Sequence, residues 1–433
     1  ALARFYHLTG LHHEGLQTLH AALPVARHAL TITEHAQPLL ASLLSHSSEF
    51  CRYLNQLVEA EILGQEALTL GEQTADVALL SRAYHELARV AQRRNQQALM
   101  CTFAQQAADL ARQSGIARLQ AVSFNALGVS EVLSGNPVQA IHAYQTALRY
   151  FQRSPDRELE AMVMANLGGA YKRCREYSAA VHYLLQSVTL TDSIHDQYGA
   201  AVNRVLLGNL WLELGAYDRA QIVYTQAFHI FEDIHDPYWE AWGRTSQALL
   251  WLLYDEPEAA MRECLRVLPW VQDKMPLFEH RALTYLGDAY CALGEWAEAE
   301  ELYQKAFALQ QTANLHFRLT EPVIRLAERL LAQEQNAAAL ALLEAPLAEM
   351  TKRGPASSAE PFMLYSISYA VLKANADRRA DIILLQAYTL LQEIAAKIDT
   401  LDLQQSFLEN LPHRRKLLAL AQERFARTAA FMV

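Results

Sequence analysis

The sequence predicts an all-α chain, a right-handed superhelix of about ten helical hairpins closed by a C-terminal capping helix. Three observations predict it. Glycine and proline are scarce, 16 and 13 of 433 residues, so few positions interrupt a helix. Apolar residues make up 52% of the chain yet fall in short runs, none long enough and free enough of charge to span a bilayer. A unit of about 40 residues also recurs along most of the chain.

The unit is visible in Leu127-Gly128 with Gly135 and Ala140, in Leu207-Gly208 with Gly215 and Ala220, and in Leu286-Gly287 with Gly294 and Ala299. Taking the leucine position as an anchor gives 47, 87, 127, 167, 207, 247, 286, 326 and 367. The residue after each anchor is always small: Ser48, Ala88, Gly128, Gly168, Gly208, Ala248, Gly287, Ala327 and Ser368. Thirteen residues after it comes Ala60, Met100, Ala140, Ala180, Ala220, Ala260, Ala299, Ala339 or Ala380. Small residues at two matched sites let the helices of a hairpin approach closely. Large residues four after the anchor (Tyr171, Trp211, Trp251, Tyr290, Leu330) are expected to fill the space between units, with the turn breaker at Gly135, Gly215 or Gly294. Ile194-His195-Asp196 and Ile234-His235-Asp236 recur 40 residues apart. They read as connectors whose aspartate caps the next helix. Pro346 is expected to kink its helix, and Asp255-Glu256-Pro257 stands where the turn glycine belongs.

This pattern resembles the tetratricopeptide repeat. Leu-Gly-x-x-Tyr, Gly-x-Tyr/Trp-x-x-Ala, then an aromatic (Tyr144, Tyr224, Tyr303) and an alanine (Ala147, Ala227, Ala306), is that family's signature. The common unit has 34 residues; the longer one here is similar to the C-terminal sensor segments of bacterial signal-transduction ATPases of the maltose-regulator type, and to animal polarity adaptors. Ser406-Phe407-Leu408-Glu409-Asn410-Leu411-Pro412-His413-Arg414 resembles a phrase that closes the repeat region of such regulators. Read from the residues alone, Asn410 is a helix cap, Pro412 suits a first turn, and a basic apolar helix follows to about Arg427. The expected organisation is a degenerate first repeat over 1–40, a solenoid over 41–400 and the capping helix over 401–433. The start at Ala1 reads as a cut, so an ATPase or output domain is expected upstream.

Net charge is −10, a poor overall match for nucleic acid, so no direct nucleic-acid binding is expected of this segment. Five cysteines without CxxC spacing favour a reducing, cytoplasmic setting and read as small core residues. His12-His13 reads as a solvated surface pair. There is no phosphate-binding loop, dinucleotide fingerprint, zinc-protease motif or nucleophile elbow. No enzyme activity, cofactor, metal or membrane contact is expected.

In stacked hairpins the first helices line the concave face. Helical spacing puts Arg82, His85 and Arg89, with Arg93 adjacent, on that face of the second full unit. Later units offer Asn125, then Lys172 with Arg173, then Asn209, Trp242, Arg281 with Asp288, and Tyr365 with Tyr369. The early stripe is basic and suits a carboxylate or phosphate. The middle stripe, with Val122, Val129, Val202, Val205 and Leu249, is apolar and suits an apolar side chain or a partner helix. The expected function is a non-catalytic sensor or regulatory domain of a larger bacterial signalling protein, binding a peptide, protein segment or small effector in the groove. The alternative is a scaffold that docks a peptide or helix without switching. If the hairpins stack as near-neighbour units, Ala220→Arg overfills one contact, and hydrogen exchange should quicken first in the middle units. Equal loosening at both ends would contradict it.

Overall fold

The computed structural model describes residues 2–94, 96–152, 156–234, 236–313, 315, 321–354 and 361–430. Among them are 22 α-helices and no strand. A short α1 (Leu2–Thr9) and a long α2 (His12–Ile32) open the chain. The first helices of the repeating hairpins are α3 (Gln37–Tyr53), α5 (Val77–Arg93), α7 (Ala117–Leu133), α9 (Arg157–Arg173), α11 (Gln197–Glu213), α13 (Pro237–Leu253), α15 (Pro276–Ala292), α17 (Glu321–Ala332) and α19 (Pro361–Ala374). Their partners are α4 (Leu57–Thr74), α6 (Gln97–Ser114), α8 (Pro137–Phe151), α10 (Tyr177–Ser193), α12 (Tyr217–Ile234), α14 (Pro257–Val271), α16 (Trp296–Thr312), α18 (Asn336–Arg353) and α20 (Arg379–Ala395). A last hairpin joins α21 (Leu401–Glu409) to α22 (Pro412–Ala430).

The matched small residues lie where the paired helices touch. Ala60, Ala140, Ala180, Ala220, Ala260 and Ala339 are fully buried, as are Ser48, Ala248, Ala327 and Ser368. The Ser48 hydroxyl donates to the Ala60 carbonyl at 2.6 Å, directly linking the two repeat positions. A Cβ on Gly168 would stand 2.7 Å from Leu184 Cγ, and one on Gly287 would stand 2.6 Å from Tyr303 Cε1.

Every described turn eight residues after its anchor, from 55 to 334, is left-handed, whatever the residue. Gly135, Gly215 and Gly294 adopt it without steric cost, and Asn55, Arg175, Asp255 and Glu334 adopt it with φ of 59–62°. The following amide closes the helix by reaching back five residues, as in Asn136 N to Glu131 O at 2.8 Å and Glu256 N to Trp251 O at 2.9 Å. Asp255 thus fills the position of the missing glycine, and Pro257 opens α14. Between hairpins, Asp196 caps α11 through Gly199 N at 2.8 Å, and Asp236 caps α13 through Tyr238 N and Trp239 N at 2.9 and 3.2 Å. His235 lies outside the described residues. Pro346 does not divide its element, since α18 runs continuously from Asn336 to Arg353.

The chain forms two compact units. The first comprises Ala1–Leu207 with Val223–Glu240, and the second Gly208–Ile222 with Ala241–Val433. Within the second unit, the 406–414 phrase grips the turn between α11 and α12. Asn410 Nδ2 donates to Gly215 O at 2.8 Å, Tyr217 OH donates to Asn410 O at 3.0 Å, and Arg414 Nη1 donates to Glu213 O at 2.7 Å. Asn410 therefore binds a neighbouring turn and does not cap α22, which begins two residues later. Gly215 is required twice, by its φ of 73° and by the Ser406 carbonyl lying where a Cβ would point.

Two adjacent glycines separate packing from propensity. Gly168→Ala should destabilise by about 1–3 kcal/mol through overpacking against Leu184. Gly169→Ala meets nothing within 4 Å and should be neutral or stabilising by up to about 1 kcal/mol. The urea midpoint of Gly168→Ala should fall while that of Gly169→Ala stays or rises, and equal shifts would contradict the contact.

Candidate functional site

The first unit buries a cluster of charged and aromatic side chains carried largely by α3 and α5. Arg52, at the end of α3, is 2% exposed. Its Nε lies 3.4 Å from Glu86 Oε2 and its Nη2 3.9 Å from Glu49 Oε1, and its guanidinium sits 4.2 Å from the Tyr53 ring centroid. Tyr53 OH donates to Glu49 Oε1 at 3.2 Å. From the starts of later helices come Tyr198 and Asp236. Tyr198 OH donates to Asp236 Oδ2 at 3.1 Å, and Arg93 approaches the same oxygen at 3.9 Å while stacking 3.6 Å over Tyr238.

The N-terminal helices complete this cluster. His7 of α1 pairs with Glu158 of α9 at 2.9 Å. His12 of α2 stacks on Tyr53 with centroids 4.5 Å apart and meets Tyr198 edge-on at 5.0 Å. The expected solvated pair His12-His13 is therefore split: His13 is exposed, and His12 is 1% exposed because aromatic rings enclose it.

Burial and charge pull the titrations apart. Burial and the Arg52 charge depress Arg89, while burial raises the Glu86 and Asp236 carboxyls against the pull of Arg52 and Arg93. Burial likewise lifts Asp196 to about 6. It opposes ionisation of Glu49 too, but a hydrogen bond from His46 and the charges of His7, His46 and Arg52 hold that carboxyl well below the usual range. His12 is lowered to about 3, by burial first and then by His7. For His7 burial also opposes the charge, but Glu158 raises it overall.

Several buried polar nitrogens here lack a partner among the described residues: the donors Arg52 Nη1 and Arg93 Nη1, and both His12 nitrogens, one a donor and one an acceptor in the neutral ring. Arg89 is half-buried on the same face and makes no hydrogen bond or ion pair among them. Such groups suit an incoming acceptor or ordered water.

The residues expected to line the concave face have divergent environments. Arg82 reaches Ser42 Oγ at 3.3 Å, His85 is half-buried and lowered to about 3 by burial and by Arg89, and Arg93 is committed to Asp236 and Tyr238. Asn125 is buried and accepts from Asn166 Nδ2 at 2.8 Å. Lys172 is half-buried and Arg173 exposed, both with partners of their own. In the second unit, Asn209 is half-buried, Trp242 lies 6.2 Å from Phe278, and Arg281 sits 6.0 Å over the Trp242 ring. Asp288 accepts from Tyr303 OH at 2.7 Å and from Arg325 Nε at 2.9 Å, so it serves an internal ion pair. Tyr365 and Tyr369 are 4% and 6% exposed, because α17, α18, α20 and α22 enclose α19; they form core where an open wall was expected.

The sequence reading passed over Arg52, Glu86, Tyr198 and the α1 contact, and read Asp236 only as a helix cap. Arg52 and Glu49 lie five and two residues after the anchor at 47, so the same spacing rule identifies them. Tyr198 and Asp236 carry no such signal, because they reach the cluster from helix starts many residues away. Among the cysteines, Cys51 and Cys264 are buried and the other three half-buried.

The two cluster histidines oppose each other in pH dependence. A raised His7 stabilises below its unfolded pKa near 6.5 and loses that contribution as pH rises through its folded value. A lowered His12 stabilises fully above 6.5 and loses its contribution as pH falls toward about 3. His12→Phe keeps the ring stack and removes only the second effect. Its stability loss between about pH 6.5 and about pH 4, measured by urea unfolding, should be smaller than that of the parent chain. An unchanged loss would show that His12 is not held neutral.

The tetratricopeptide repeat family matches residues 119–193 and 280–313. No curated protein matches the chain. Solved structures similar to it include the apo form of the quorum sensor NprR from B. thuringiensis, at 14% identity over 80% of this chain and 98% of that one, with a TM-score of 0.53. A Rap protein complexed with competence and sporulation factor is similar at 14% identity over 89% and 98%, TM-score 0.45. A signal transduction ATPase with numerous domains and a tetratricopeptide repeat sensor, from Pyrococcus horikoshii, is similar at 15% identity over 71% and 54%, TM-score 0.45. The recurring hairpins make this chain an all-α helical-repeat protein, and two of its segments match the tetratricopeptide repeat.

Proposed function

We propose that the chain is a non-catalytic sensor or regulatory domain of a larger signalling protein. It takes a peptide, protein segment or small effector bearing a carboxylate or phosphate against the concave face of α3 and α5. The observation that carries this reading is Arg89, a half-buried cation without an ion pair beside the unpartnered Arg52 Nη1 and Arg93 Nη1. Guanidinium groups bind planar anions through paired donors, and partial burial strengthens that attraction. Tyr53 and Tyr198 supply flat apolar surface beside the charges. The fold shared with a quorum sensor agrees with a sensing role. Closure of the cluster by α1 and by the Arg93–Asp236 pair gives ligand binding something to rearrange, which favours a switch over a passive scaffold.

Fluorescence anisotropy with a panel of labelled acidic peptides and their neutral counterparts tests this. Acidic members should bind more tightly, and Arg89→Ala should weaken them by roughly 10–100-fold, the value of a charged hydrogen bond of about 1.5–3 kcal/mol. Salt dependence should flatten in the variant while its helical circular dichroism stays the same. A panel without a binder, or binding indifferent to Arg89, would refute the proposal.

A further inference from the structure

Away from the charged cluster, three consecutive helices of the first unit bring together a histidine, a cysteine and a glutamate. His20 comes from α2, Cys51 from α3 and Glu59 from α4. One imidazole nitrogen, the thiol sulfur and one carboxylate oxygen all lie within 4.8 Å of one another. His20 Nε2 and Glu59 Oε1 are 3.8 Å apart. We propose that these three side chains form a binding site for a borderline-soft divalent cation, zinc above all.

The donor set is the first argument. A thiolate, an imidazole and a carboxylate are the three side-chain types that bind zinc, and thiolate disfavours magnesium and calcium. Geometry is the second. Zinc bonds of about 2.0–2.3 Å in a tetrahedron place neighbouring ligand atoms about 3.3–3.7 Å apart. The His20–Glu59 separation is already close to that edge, and the two edges to Cys51 are no longer than 4.8 Å, so side-chain adjustments of up to about 1 Å complete the triad. Access is the third. Cys51 is fully buried and forms the floor, whereas the His20 and Glu59 side chains are 36% and 49% exposed and form the mouth through which a hydrated ion enters. Three protein ligands leave the fourth position to water or an exchangeable group, as in open zinc sites.

The ligands also sit on separate elements. Burial and the Glu59 charge raise the Cys51 thiol to about 12, so the metal-free site holds its proton; on binding, the sulfur–metal bond replaces the S–H bond and one proton leaves to solvent. The ion then ties α2 to the α3–α4 hairpin, and binding energy becomes stability of the N-terminal end of the unit.

Cobalt(II) titration of the full-length, reduced chain tests the site. One equivalent should produce the visible bands of a tetrahedral ion and a near-ultraviolet thiolate-to-cobalt charge-transfer band, both abolished by one equivalent of zinc. Cys51→Ala, which conserves a small core side chain, should lose the charge-transfer band, whereas Cys101→Ala should keep it. Glu59→Gln changes an exposed residue that cannot disturb the core. It should weaken zinc affinity at least as much as loss of an outer-shell partner does, on the order of 10–100-fold. Zinc should raise the thermal midpoint of the parent chain and leave that of Glu59→Gln nearly unmoved. Absence of a charge-transfer band in the parent, or its persistence in Cys51→Ala, would overturn the proposal. So would equal zinc affinity in the parent and Glu59→Gln.

Discussion

One close contact per repeat governs the structure. Gly128, Gly168 and Gly287, each the residue after an anchor, lie so close to Tyr144, Leu184 and Tyr303 of the second helix that a Cβ would not fit, and the hairpins without a glycine there keep a small alanine or serine. Everything else in the unit is placed by that approach. It brings the Ser48 hydroxyl to the Ala60 carbonyl and Leu184 against the bare Cα of Gly168. It also fixes the rotation of each helix about its own axis, and so decides which residues of neighbouring first helices face one another.

That rotation explains how an acidic chain buries a basic cluster. Glu49, Arg52, Glu86, Arg89 and Arg93 lie on one stripe of two neighbouring helices, so their charges meet without special loops. Taking ions out of water is costly unless each finds an opposite charge or a fixed dipole. Arg52 meets two carboxylates and a ring face. Glu158 and Asp236 sit at the starts of α9 and α13, where helix dipoles favour negative charge. The compensation is incomplete at Arg52 Nη1 and Arg93 Nη1, and the proposed anionic ligand rests on that shortfall.

The turns show how far context overrides residue preference. Asn55, Arg175, Asp255 and Glu334 adopt a left-handed backbone that glycine adopts more cheaply, because the helices on either side dictate where the chain must reverse. The departure at Asp255 therefore leaves the repeat intact. Pro346 is similarly absorbed within α18. The 406–414 phrase is the opposite case. Its residues look like a helix start, yet Asn410 and Arg414 are spent on backbone carbonyls of a turn about two hundred residues earlier.

The sequence by itself determined the helices, their 40-residue register, the small-residue contacts and the capping aspartates, because each depends on neighbours within one or two hairpins. It also named the basic stripe of α5, since helical spacing alone assigns a face. Only the tertiary structure decided that Arg93 is committed to Asp236 while Arg89 is not, that His12 is enclosed by rings, and that Tyr365 and Tyr369 are core. Those outcomes depend on segments far apart in the chain: α1 and α2 packing against later helix starts, and α22 covering α19. Periodicity reports which face a residue occupies within its own helix. It carries no information about what a distant helix lays over that face.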